Sequence, residues 1–141
     1  MLSKPNFGWS TLQIGDFYDD VSYLTDVPLD CLESMIRALK YHIPFVVQFD
    51  TEGSYIILTS CDYIYTTTVT YWNNDGIQIK EFNIGLIELA KDLYNDINSN
   101  INDWSMFSSF CEPNTVESKE YKEKLIRLLE ELNMLIMKGE D

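Results

Sequence analysis

Positive charge is nearly missing from the first half of this chain. Between residues 5 and 79, ten Asp or Glu face only Arg37 and Lys40, and the whole sequence carries a formal charge of −13. Nucleic-acid affinity is driven by Lys and Arg displacing counterions from phosphates, so the expectation is no nucleic-acid partner. An anionic membrane surface is disfavoured for the same reason. Histidine is scarce too: His42 stands alone, so any imidazole triad or general base must use it. Its place just past a helical segment suits a cap or a contact at the start of the next strand. The glycines, at 8, 15, 53, 76, 85 and 139, never cluster into a phosphate cradle. Cys31, Cys61 and Cys111 lack the paired spacing of zinc or redox motifs, and no Lys or Arg neighbours Cys31 or Cys61 to lower a thiol pKa. They are expected to act as small buried hydrophobes in a reducing cytosol. No apolar run reaches the length of a signal-peptide core or a membrane span, which predicts a soluble, cytoplasmic protein.

What is present is enough for a core. The chain has 141 residues, 45% of them hydrophobic, with nine Tyr, seven Phe and three Trp, and is read as a single domain over 1–141. "WSTLQIGDFYDDVSYL" reads as a hairpin turning at Gly15-Asp16, where a leading glycine suits a type II′ turn. In "TDVPLDCLESMIRALKYH", Leu29, Leu32, Ile36 and Leu39 line a helical face, with Thr25 or Asp26 as cap and Pro28 in the first turn. A meander of strands over 44–50, 54–60, 62–72 and 77–82 follows, in which Phe45, Val47 and Phe49 point one way and Val46, Gln48 and Asp50 the other. Ile87, Ala90, Leu93 or Tyr94, Ile97, Ile101 and Trp104 form the next helical stripe, fraying at Asn98–Asn102. "SMFSSFCEPN", with Pro113, is the linker to a last helix starting near Asn114 or Thr115 and carrying Tyr121, Leu125, Leu128, Leu132 and Leu135, with Leu129 and Ile136 broadening the stripe. Its exposed side offers Glu120 with Lys124 and Glu123 with Arg127, and Gly139 is the stop. The expected class is α+β: a mostly antiparallel sheet of about five to six strands, to which the hairpin adds its pair, in the order ββαββββαα.

The five aspartates of "GDFYDDVSYLTDVPLD" sharpen the functional question. Asp16 has a turn, Asp26 a cap and Asp30 a helix dipole as local reasons. Asp19 and Asp20 have none. Adjacent on a strand, they leave from opposite faces and do not bind one ion together, and neither "DFYDDVSY" nor "NNDGIQIKE" has the ligand spacing of a calcium loop. No metal, cofactor or catalytic residue is therefore assigned, and no enzyme activity is expected. A surface needing only solubility would mix signs, as the last helix does. One lacking cations attracts a basic protein and speeds encounter with it. The candidate partner-binding residues are Asp19, Asp20, Asp30, Glu33, Asp50 and Glu52 for charge, with Tyr18, Tyr23 and Tyr55 for contact area.

Over "FGWSTLQIGDFYDDVSYLTDVPLDCLESMIRAL" and "PFVVQFDTEGSYIIL", about the first half of the chain, the sequence resembles small acidic cytosolic immunity proteins of bacterial polymorphic or contact-dependent toxin systems. The likeness lies in size, acidity and the "SYLTDVP" junction between strand and helix. It implies a non-enzymatic inhibitor that binds one cognate toxin, often a basic nuclease, and blocks its active site, as a monomer or weak homodimer. No site residue is carried over from the family. The alternatives are a structural or regulatory module that self-associates through its sheet or last helix, and an enzyme built on His42 with a carboxylate and a hydroxyl nearby.

Overall fold

The computed structural model describes residues 1–107 and 115–140 of the chain. Cys111, Pro113 and most of the expected linker lie outside the described residues. The elements run β1 (Trp9–Ile14), β2 (Phe17–Ser22), α1 (Val27–Tyr41), β3 (Phe45–Asp50), β4 (Tyr55–Cys61), β5 (Ile64–Asn73), β6 (Gly76–Phe82), α2 (Leu86–Ser99), α3 (Ile101–Trp104) and α4 (Val116–Gly139). The class is α+β.

The hairpin forms where Gly15, at φ 55, turns the chain between Ile14 and Phe17. A positive φ at the first central residue needs glycine's freedom, and a Cβ there would also sit 2.7 Å from the Phe82 ring. The meander β3-β4-β5-β6 is a separate antiparallel sheet, and the hairpin is a two-stranded sheet of its own rather than its extension. The reason lies at the β3 edge. There Ser34 of α1 donates its hydroxyl to the Val46 carbonyl (2.9 Å) and accepts from the Val46 amide (3.1 Å), taking the groups that another strand would need. On its other side, β1 is bonded by Ser3 (amide to the Thr11 carbonyl, 3.0 Å) and Met1 (carbonyl from the Gln13 amide, 2.7 Å). The hairpin packs instead through side chains, Phe17 on Tyr71 with ring centroids 6.1 Å apart.

Helix α1 buries more than one stripe: Val27, Cys31, Leu32, Met35, Ile36 and Ala38 are inside, while Leu29 and Leu39 are half-buried. Asp26 stands at its N-cap but makes no side-chain cap bond; its carboxylate accepts from the Tyr121 hydroxyl of α4. Two C-terminal helices were expected and a third is present. The chain bends at Asn100, and α3 then buries Trp104, whose indole N–H donates to the Asp96 carbonyl (3.2 Å). A stretch read as a frayed ending is thus pinned to the core. On α4 the fully inward residues are Leu125, Leu129, Leu132 and Ile136, with Leu128 and Leu135 flanking them. Thr115 caps α4 by accepting from the Ser118 amide (3.2 Å). Lys124 does not pair with Glu120; it reaches Glu33 of α1 at 3.8 Å. Among the described residues no helix is long and apolar enough to cross a membrane.

The candidate docking surface

Helices α1 and α2 meet the four-stranded sheet at β3 and β5, and the buried side of that sheet carries Phe45, Val47, Phe49, Ile56, Leu58 and Val69. Among the described residues the opposite side is open, with none of its side chains buried. Antiparallel register fixes which residues share it. Across β3 to β6 one row reads Asp50, Tyr55, Trp72, Ile77; the next Gln48, Ile57, Thr70, Ile79; the third Val46, Thr59, Thr68, Glu81. Trp72 is 53% exposed, Ile77 64% and Ile79 65%. Tyr55 and Trp72 pack ring against ring with centroids 5.8 Å apart.

At one end of this sheet the β3–β4 and β5–β6 turns meet the hairpin. They enclose a polar cleft of about 490 Å³ lined by Asp19, Asp20 and Asp75 beside Thr51, Ser54 and Asn73. Its walls are held by short-range bonds. Asp19 Oδ1 accepts from the Asp20 amide (2.8 Å), Asp20 Oδ1 from the Thr11 hydroxyl (2.8 Å), and Asp50 Oδ1 from the Glu52 amide (2.7 Å). Asp75 donates its amide to Asn73 Oδ1 at 2.8 Å, folding the tight turn. Asp19, Asp20, Asp50, Glu52 and Asp75 form no ion pair among the described residues. Within those residues, no three His, Cys, Asp or Glu side chains converge as metal ligands would.

The charge-based candidates therefore divide. Asp19, Asp20, Asp50, Glu52 and Tyr55 gather at the turn end. Asp30 and Glu33 stand apart on α1, where Glu33 lies between Arg37 (3.9 Å) and Lys124 (3.8 Å). The Asp30 carboxyl is pushed above its ordinary range by partial desolvation first, then by Asp26 and Glu33, with Arg37 opposing. Tyr18 is 73% exposed on the outer face of β2, whereas Tyr23 is half-buried with its ring against Gly8. Charge scarcity did not point to Trp72, Ile77 or Ile79. The signal for them was parity: a two-residue turn after Asn73 sets Trp72 opposite Ile77, on the face away from Phe45 and Phe49.

His42 takes the left-handed C-cap of α1 at φ 55, and its Nδ1 lies 2.6 Å from Asp62 Oδ2. Both border a cleft of about 480 Å³ between α1, α2 and α4, lined also by Leu39, Lys40, Ile87, Leu135, Lys138 and Gly139, and among the described residues its lining contains no hydroxyl or thiol. Cys31 is fully buried, and burial drives its thiol pKa up. Comparisons with protein-family models, with curated proteins and with solved structures gave no match.

Proposed function

We propose that this is a non-enzymatic acidic binding protein of immunity type, which docks in the cytoplasm on a basic toxin domain such as a nuclease and covers its active site. Its carboxylates occupy the cationic groove where the toxin would hold nucleic acid, so inhibitor and substrate compete. The observation that carries the reading is the acidic group at the turn end of the sheet, Asp19, Asp20, Asp50, Glu52 and Asp75: the carboxylates of Asp19, Asp20 and Asp50 accept from a main-chain amide or a hydroxyl, and none of the five forms an ion pair among the described residues. Self-repulsion among them is a standing cost that a Lys- or Arg-rich partner relieves. Asp30, Glu33 and Tyr18 belong to the wider surface; Glu33 already has partners, so its weight is smaller.

The experiment is stopped-flow association with a basic domain encoded by the adjoining reading frame. Asp-to-Asn and Glu-to-Gln changes at the turn end should slow association and flatten its salt dependence, because charge steering acts over a screening length of about 8 Å at physiological salt. Glu33→Gln should change the rate less. Unchanged rates in every variant refute the reading. A second reading, self-association through the sheet, draws on the exposed Trp72, Ile77 and Ile79. Sedimentation at several concentrations decides it, and a charge of −13 on each copy opposes it.

A further inference from the structure

We infer that the open face of the four-stranded sheet is the energetic centre of docking, and that its occupant is a protein surface with an apolar anchor ringed by Lys or Arg. The inference rests on the proposed acidic docking function and deepens it: the acids steer, and the sheet face binds.

Val46, Tyr55, Ile57, Trp72, Ile77 and Ile79 share this face by register, and among the described residues none of these side chains is buried. β6 is exposed along almost its whole length, so Ile77 and Ile79 do not serve the core. An apolar sheet face left bare on a folded chain is a recognised mark of an interface. Trp and Tyr are the residues on which binding energy concentrates, and here the two rings pack together at the middle strands, β4 and β5. The charges around them are of one sign. Asp50 and Glu81 end the rows, Glu52 and Asp75 stand in the adjoining turns, and no Lys or Arg occurs in any of the three rows. A second copy would set acids against acids, whereas a cationic rim meets them with complementary charge.

The test uses peptides of equal length and equal number of charged residues on the intact protein: one alternating Lys with Leu, one alternating Lys with Ser, and, with the sign of charge reversed, one alternating Glu with Leu. The Lys–Leu peptide should bind at least tenfold more tightly than the Lys–Ser peptide, an arbitrary but readable margin of about 1.4 kcal/mol. It should shift the indole NMR signal of Trp72 and leave that of the buried Trp104 in place. Ile77→Ser with Ile79→Ser should abolish the Leu advantage without altering Lys–Ser binding. Equal, salt-sensitive binding of both cationic peptides would overturn the sheet-face inference while leaving the acidic reading intact. Failure of both to bind would overturn the two together. Equal binding of the Glu–Leu peptide would replace the basic partner by indiscriminate apolar adhesion, and a dimer dissolved by the Ile variants would name a second copy as the occupant; either result refutes the inference. The Trp72 shift is read on the unaltered chain, so the proposal stays testable if the double variant unfolds.

Discussion

Replacing Ser34 by alanine removes one oxygen atom and two hydrogen bonds. The hydroxyl is both donor to the Val46 carbonyl at 2.9 Å and acceptor from the Val46 amide at 3.1 Å, and Ser34 is 7% exposed. Each such bond contributes a net ~0.5–1.5 kcal/mol, so the pair is worth about 1–3 kcal/mol. The lower half of that range is favoured by the 51% exposure of Val46, which lets water reach its strand. Unfolding entropy near the midpoint is ~2.1 cal/mol/K per residue, about 0.3 kcal/mol/K for this chain, so a loss of about 1–2 kcal/mol in Ser34→Ala should lower Tm by about 3–7 °C. Thermal unfolding by circular dichroism or calorimetry reads the shift. Hydrogen exchange reads its cause: the Val46 amide should be protected in the native protein and exchange much faster in the variant. With the β3 edge bare, strand addition between molecules also becomes easier, and the variant should precipitate sooner on heating. A Tm change below about 1 °C, or a Val46 amide that exchanges at the same rate in both proteins, would refute the reasoning.

Two glycines give a paired prediction. Gly8 has φ +81 and a Cβ there would lie 2.8 Å from the Tyr23 ring, so Gly8→Ala should cost about 1–3 kcal/mol in denaturant titration. Gly53 has no atom within 4 Å of its Cβ position and no positive φ, so Gly53→Ala should stay within about 0.5 kcal/mol of the parent; equal losses at both sites would refute the distinction. Asp30 supplies a pH test. Its folded-state pKa lies above the unfolded value, so the native state binds more protons and stability falls as pH rises through the carboxylate range. Asp30→Asn should therefore raise Tm at pH 7, with the gain vanishing below the ordinary Asp value of 3.8; a loss at neutral pH would show that the helix dipole outweighs the desolvation.

Much of this architecture was legible because it is local. The Gly15-Asp16 turn, the period change after Leu24 and the punctuation at 51–53 and 73–76 each announce themselves within a few residues, and the expected strands match β3 to β6 to within about two residues at each end. What escaped depends on side chains bonding to distant backbone. The contact of Ser34 with Val46 separates the hairpin from the meander, and the Trp104 bond to the Asp96 carbonyl holds α3; neither serine nor tryptophan carries a spacing signal for such a partner. The tyrosine–aspartate bond between Tyr121 and Asp26, 95 residues apart, is of the same kind, and it turned an expected cap into a tertiary contact. For the site, charge could be counted in sequence but exposure could not: Tyr23 went inward against Gly8, while Trp72 stayed out.

How a charge imbalance along the chain becomes an imbalance in space depends on a few placements of cations. Arg37 and Lys124 both settle against Glu33, on the helical side of the molecule. Lys80, in the middle of β6, pairs in register with Val69 and so shares the inward parity, where it reaches Asp16 of the hairpin turn at 3.5 Å. Ile77, Ile79 and Glu81 have the other parity and face outward. A slip of one residue in the β5–β6 register would exchange the two sets, putting Lys80 on the open face and the isoleucines toward the hairpin. The Asn73–Gly76 turn, closed by the Asp75 amide on Asn73 Oδ1, holds the register against that slip. The absence of cations from the open face is therefore a property of strand pairing as much as of composition, and a turn of two residues, Asn74 and Asp75, sustains it.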